Sequence, residues 1–235
     1  MQTDLIILSL APIAILLAYI WFRDKYEKEP FKMLFAALLL GAFSVIPILF
    51  LEEFLMLFIN LFSGNMRAFW NAFVVAAFSE ELFKFLFLYL LVWKSPDFNE
   101  KFDGIVYAVY ISLGFAAVEN IMYVFDYGAH AGWTRAITAV PAHFLFGVTM
   151  GFFFGQAKFY PERKKKLIRA ALIYPIILHG VYDFILMTGH PYALIIFVPF
   201  IIFMWYYGLK KMKKLSSQSI YRNDFKKEEE MLKNV

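Results

Sequence analysis

Residues 66–93, MRAFWNAFVVAAFSEELFKFLFLYLLVW, decide how the rest of the chain is read, because they set Glu80, Glu81 and Lys84 within an apolar run long enough to span a bilayer. An ionised side chain at the centre of a membrane helix costs roughly 2.5 to 3.5 kcal/mol on insertion scales, so such groups usually face a protein interior or a water-filled cavity. Successive helical residues turn by about 100°, so the two glutamates point in different directions. Lys84 follows Glu81 by three residues and Glu80 by four, and can reach either. Packing alone rarely needs two adjacent carboxylates at that depth, so the cluster points to a polar site between helices.

Apolar runs continue on both sides of this stretch. With 61% hydrophobic and 20% aromatic residues over 235 positions, the composition is that of a polytopic membrane protein. Spans are expected at 5–22, 33–51, 68–93, 104–125, 136–157, 167–188 and 192–209. Residues 54–62 are too short to cross, and read as an interfacial piece, a re-entrant piece or a continuation of the second helix. The expected fold is an all-α integral membrane protein of about seven transmembrane helices, with the polar site between four central ones. By region, 1–67 holds the N-terminal transmembrane helices, 68–190 the catalytic membrane core, 191–209 the last transmembrane helix and 210–235 a polar cytoplasmic tail. The first span follows Asp4 without a basic residue, unlike a cleavable signal peptide, and is expected to stay as an anchor.

The basic residues orient the bundle. With the N-terminus outside, the expected cytoplasmic segments hold four, two, five and eight Lys and Arg, whereas the outer connections hold only Arg67 and Arg135. The net charge of +4 is therefore a membrane-orientation pattern rather than a nucleic-acid surface. The chain has no cysteine, so thiolate nucleophiles, disulfides and cysteine metal sites are excluded.

Other polar residues fall at a related depth. The fourth span carries Glu119 and Asn120, the fifth His143, and the sixth His179 with Asp183 one turn later. At 1.5 Å per residue, Glu119, His143 and His179 lie about 9 to 14 Å below the outer surface and Glu80 about 18 Å below it. Four helices thus bring polar groups to the outer half of the membrane. His143 also begins a row with Gly147, Gly151 and Gly155, a spacing that lets a neighbouring helix approach closely. Were Glu80, Glu81, Glu119 and Asp183 all ionised with Lys84 their only cation, the cluster would hold three excess negative charges in a low-dielectric setting. Protonated carboxylates, charged histidines or a bound divalent cation can each compensate. Two histidines and a carboxylate with an open position form a ligand set for catalytic zinc, although HExxH is absent.

Four of these elements, EELFK, FDGIVYAVYISLGFAAVEN, HFLFG and LHGVYD, occur in order on separate expected helices. At them the chain resembles the PrsW family of intramembrane proteases, over about residues 70–190. The family is similar in turn to the CAAX prenyl endopeptidase superfamily. That superfamily has a Glu-Glu pair followed by Arg, then Phe-x-x-x-His, a lone His and His-x-x-x-Asn. Here Lys84, Glu119 and Asp183 replace the Arg, the second-motif His and the Asn, which favours PrsW over a protease of prenylated substrates. The resemblance implies a multi-pass protein of the bacterial cytoplasmic membrane. It also implies a first cut in a single-span anti-sigma factor near the outer membrane face, which starts release of a sigma factor in a stress response.

On this reading Glu80 is the general base on the attacking water and Glu81 a second carboxylate oriented by Lys84. His143 and His179 are zinc ligands or, without metal, water activators and oxyanion stabilisers. Glu119 is a third ligand or an orienting group, Asn120 a donor to the substrate carbonyl, and Asp183 and Phe115 support the site. The expected partners are a membrane-anchored protein substrate and the lipid bilayer. A proton-coupled transporter and a non-catalytic membrane binding protein are rival readings. The first would use the same residues as a relay, but no inverted repeat or paired broken helix is visible; the second leaves the glutamate pair unexplained.

Overall fold

The computed structural model describes residues 2–223, and every regular element among them is helical. In order these are α1 (Gln2–Arg23), α2 (Phe31–Phe43), α3 (Val45–Met56), α4 (Gly64–Phe69), α5 (Ser79–Val92), α6 (Asp103–Ile137), α7 (Ala139–Phe159), α8 (Lys164–Met187) and α9 (Ala193–Ser216). A π-helical stretch, Trp70–Phe78, joins α4 to α5 without a loop.

Five helical segments among the described residues are long and apolar enough to cross a membrane: Thr3–Arg23, Phe31–Leu61, Asp103–Ile137, Pro161–Met187 and Ala193–Ser216. The other two expected spans, the α4–α5 stretch and α7, carry Glu80, Glu81, Lys84 and His143. Helices whose neighbours are protein rather than lipid can hold such residues. Outward-facing positions have the opposite character. Ile15, Phe50, Leu90 and Ile195 expose between 67% and 70% of their surface, which suits hydrocarbon and not water.

The helices α6 and α7 form the centre. Gly151 of α7 meets α6 so closely that a Cβ would lie 2.2 Å from the Gly104 carbonyl oxygen. The row below His143 therefore faces α6 rather than lipid. Pro47 cannot donate to the Phe43 carbonyl, and the bond ladder is interrupted at Ser44 between α2 and α3, whose backbone stays helical. The Ser44 hydroxyl donates to the Gly41 carbonyl at 2.6 Å.

One connection takes one of the readings the sequence left open, and two differ from the sequence expectation. Residues 54–62 continue α3 and then close in a 3-10 turn, Ile59–Leu61. Residues 126–135 are a second helical leg of α6 rather than an open connection. Gly128 makes the corner at φ 79°, a conformation that side-chain-bearing residues rarely adopt. Finally, α9 extends to Ser216 and takes the KKMKK run at 210–214 into the helix. The acidic end of the tail, from 224 onward, lies outside the described residues.

Candidate active site

The first turns of α5 bury Ser79, Glu80, Glu81 and Lys84. Their direction is set by the π-helical stretch before them, a winding often found at functional sites. Trp70 Nε1–H donates to the Leu55 carbonyl at 3.2 Å, tying that stretch to the end of α3. Phe73 fills a notch in α8 left by Gly180, where a Cβ would lie 2.3 Å from its ring. His179, adjacent in sequence, is thereby brought against α5.

Lys84 Nζ is the hub. It donates to Glu80 Oε2 and Glu81 Oε1, each at 2.9 Å, lies 3.3 Å from His143 Nδ1, and sits 4.0 Å from the centroid of the Phe115 ring. An ammonium only donates, so His143 Nδ1 accepts, and the ring proton belongs on Nε2. There it meets Glu119 Oε2 at 2.9 Å. His179 shares the outer contact but not the inner one: Nε2 faces Asp183 Oδ2 at 3.1 Å, while Nδ1 lies 3.1 Å from Glu81 Oε1 and 3.9 Å from Glu80 Oε2, so that both ring nitrogens face acceptors and the ring donates from both. Both imidazoles therefore have the outer nitrogen held by a carboxylate and turn Nδ1 toward the glutamate pair. The Phe146 ring stacks on His179 with centroids 4.8 Å apart and fixes its plane.

A cavity of about 630 Å³ opens beside this cluster. Glu52, Glu80, Glu119, His143, His179 and Asp183 are on its wall, whereas Glu81 and Lys84 lie behind it with no exposed surface. The two adjacent glutamates thus occupy unlike positions, one facing the cavity and one sealed.

The predicted residues converge with two corrections. Asn120 does not reach the cavity: its side-chain amide donates to the Ser9 carbonyl at 2.7 Å, and its Oδ1 accepts from Arg135 Nε at 3.0 Å. It is a joint between α1 and α6, fully buried and off the cavity wall. Glu119 bonds the outer nitrogen of His143 and Arg135 Nη2, the latter at 2.5 Å, so it orients an imidazole rather than standing among the inward ligand atoms. The supporting roles of Asp183 and Phe115 correspond to direct contacts with His179 and Lys84.

Arg135 and Glu52 were not among the sequence candidates. Arg135 returns to Glu119 only because α6 turns at Gly128, and its one signal in the sequence is that it breaks the rule keeping basic residues off the outer side. It also changes the charge count. Four carboxylates (Glu80, Glu81, Glu119, Asp183) face two cations (Lys84, Arg135), leaving an excess of two negative charges with both histidines neutral and of one with His179 donating from both nitrogens.

That excess suits a divalent cation, as does the donor set. One ligand atom each from Glu80, Glu81, His143 and His179 lie within 4.8 Å of one another. Two imidazole nitrogens and carboxylate oxygens are ligands that zinc accepts. Glu81 Oε2 is buried without a hydrogen-bond partner, and the carboxylates behind both imidazoles match the outer-shell partners usual for metal-binding histidines. The residues fit a metal. Lys84 Nζ is directed at three of the same four side chains, so a metal and the ammonium compete for these atoms.

The family profile described as PrsW family intramembrane metalloprotease matches residues 29–207. A Protease PrsW of Clostridioides difficile (strain 630) is 39% identical over 226 residues, covering 93% of this chain and 94% of the relative. Those of Bacillus subtilis (strain 168) and Oceanobacillus iheyensis are each 37% identical, covering 89% and 90% of this chain and 94% and 96% of theirs. No solved structure matches the chain.

Proposed function

The chain belongs to the PrsW family of intramembrane metalloproteases, and from that premise we propose that it cuts a single-span membrane protein, an anti-sigma factor, in the cavity beside Glu80. Residues 68–190 carry the reaction, and zinc is held by His143, His179 and a glutamate of the pair. The observation that carries this reading is that Glu80 and both imidazoles share one cavity wall, with each imidazole backed by its own carboxylate. Bound zinc supplies Lewis acidity and makes water a nucleophile near neutral pH.

The chain's own groups do the rest. Glu80 takes a proton from the attacking water as its oxygen bonds to the scissile carbonyl carbon, then passes that proton to the amide nitrogen as the C–N bond breaks. Lys84 holds Glu80 and Glu81 apart from direct repulsion and brings positive charge close to the developing oxyanion. Glu119 and Asp183 keep the two Nδ1 atoms aimed inward. The excess of basic residues on the opposite side supports a cavity that opens outward, near the outer membrane face.

A second reading has its own observation. Lys84 Nζ lies 2.9, 2.9 and 3.3 Å from the atoms a metal would take, and can itself serve as the site's cation, with the histidines activating water. One experiment tests both. Purified protein in lipid is incubated with a doubly tagged single-span anti-sigma factor, with and without chelator, and its metal content is measured. Two fragments from a cut in the outer juxtamembrane segment, loss of cleavage on chelation and recovery with zinc are expected. Cleavage by metal-free protein would remove zinc and leave the lysine reading; intact substrate under every condition would overturn the substrate assignment.

A further inference from the structure

A second cavity, of about 460 Å³, lies between α7, α8 and α9, toward the C-terminal end of α7 and away from His143. Its floor is buried: Leu145, Thr149 and Met204 are 1%, 3% and 2% exposed. Its sides are the aromatic faces of Phe153, Tyr174 and Phe203, and its mouth is ringed by Lys210, Lys211 and Lys214. Among the described residues none of these lysines is in an ion pair. They lie against aromatic rings instead. Lys211 Nζ is 5.2 to 5.6 Å from the centroids of Phe152, Phe153 and Tyr207, and Lys214 Nζ is 5.6 Å from that of Phe152.

We propose that this groove binds one anionic phospholipid, with an acyl chain along the aromatic walls and the phosphodiester among the three lysines. The sequence along α9 sets the dimensions: from Phe203 to Lys210 is seven residues, about 10 Å of apolar wall at 1.5 Å per residue, and the basic ring continues for about 6 Å more to Lys214. The wall takes up about two-thirds of one leaflet of a hydrocarbon core roughly 30 Å thick, with the lysines at its headgroup end. An occupant must therefore be apolar along most of a leaflet and anionic at its end. A basic pocket between transmembrane helices on the cytoplasmic side is suited to such head groups. A neutral lipid satisfies the walls but leaves three cations uncompensated, and a soluble phosphate ester satisfies the cations but leaves the walls wet.

The full-length protein, purified in detergent, is examined by native mass spectrometry and thermal unfolding with added phosphatidylglycerol, phosphatidylcholine or glycerol phosphate. One retained phosphatidylglycerol per chain is expected, with an upward melting shift that the other two do not produce. Replacing Lys210, Lys211 and Lys214 together by Gln should weaken this binding about a hundredfold. Leu178→Trp, which fills the groove from α8 and keeps every lysine, should also lose it. The same three replacements at Lys164, Lys165 and Lys166 serve as control and should retain it. Equal retention of phosphatidylcholine, or equal loss in the control, would reduce the effect to general surface attraction and overturn the proposal. Unchanged binding in Leu178→Trp would overturn the groove.

Discussion

Two groups of buried carboxylates sit in this protein, and they are built in opposite ways. Near the active-site cavity, Glu80, Glu81, Glu119 and Asp183 are matched with Lys84, Arg135 and two imidazoles. At the other end, Asp24, Glu29, Glu100 and Asp103 are between 1% and 4% exposed, and are met mainly by neutral donors. The Tyr107 hydroxyl donates to Glu29, and the Asn99 and Glu100 amides donate to Asp103 Oδ2 at 2.9 and 2.7 Å. Lys28 donates to the Trp21 carbonyl. Burial pushes Asp24 up to about 7 and Glu29 up to about 10, with the Asp103 carboxylate adding to the second shift. Glu27, Glu29 and Asp103 come within the same 4.8 Å as Glu80, Glu81, His143 and His179, yet line neither cavity. Crowded carboxylates therefore do not mark a reaction site. Cations, imidazoles and an opening beside them do.

The comparison can be broken most directly at Glu80. Glu80→Gln keeps shape and hydrogen bonding but removes the base, so turnover of a single-span substrate should fall by about 10² to 10⁴ while folding persists. Near wild-type cleavage by a variant present at wild-type level would end the catalytic assignment. Lys84→Met should come next, and should act on stability. It strands two buried carboxylates, for an expected loss of roughly 3 to 5 kcal/mol by denaturant unfolding in detergent. A neutral outcome would mean that the ammonium is not the cation those carboxylates depend on. Glu119→Gln should lower metal content or activity by about 10 to 100-fold, because it loosens the outer nitrogen of His143. Full metal occupancy and full activity in that variant would show that the carboxylate serves Arg135 alone.

A dependence on pH sharpens the other side of the comparison. Both raised carboxyls stay protonated in the fold well above the range near 4 where an unfolded chain gives up such protons. Their contribution to stability is thus complete below about pH 4. It is lost as pH rises through about 7 for Asp24 and about 10 for Glu29. Each should lower unfolding free energy by on the order of 1.4 kcal/mol per pH unit between about pH 4 and its own raised value. Glu29→Gln should flatten unfolding free energy between about pH 7 and 10 without changing cleavage. An unchanged slope would place that titration on other groups.

Much of the site was legible because polar residues in a membrane helix are expensive, and the sequence has few of them. Glu80, Glu81, Lys84, His143 and His179 interrupt apolar runs at depths that agree, and the helical period alone joins His179 to Asp183. What was not legible depends on turns in space. Nothing in AHAGWTRAI says that this leg folds back at Gly128 to deliver Arg135, or that Asn120 turns toward α1 rather than the cavity. Glu52 read as a span terminus because its neighbour across the cavity belongs to other helices. The interruption of the bond ladder at Ser44 does have a local cause, in Pro47.

The π-helical stretch before Glu80 carries one more consequence. Its bonds run i to i+5, so these nine residues hold more chain per turn than an α-helix would. Removing one residue would yield a more regular helix, and would turn everything after it by several tens of degrees relative to α4, since the tighter α turn offsets part of the lost residue. Glu80 and Glu81 would then leave the histidines while every side chain in the site remained present. The phase of the active site is in this sense stored as a number of residues rather than as their identity, and Trp70 on Leu55 and Phe73 against Gly180 are the clamps that keep the count from relaxing.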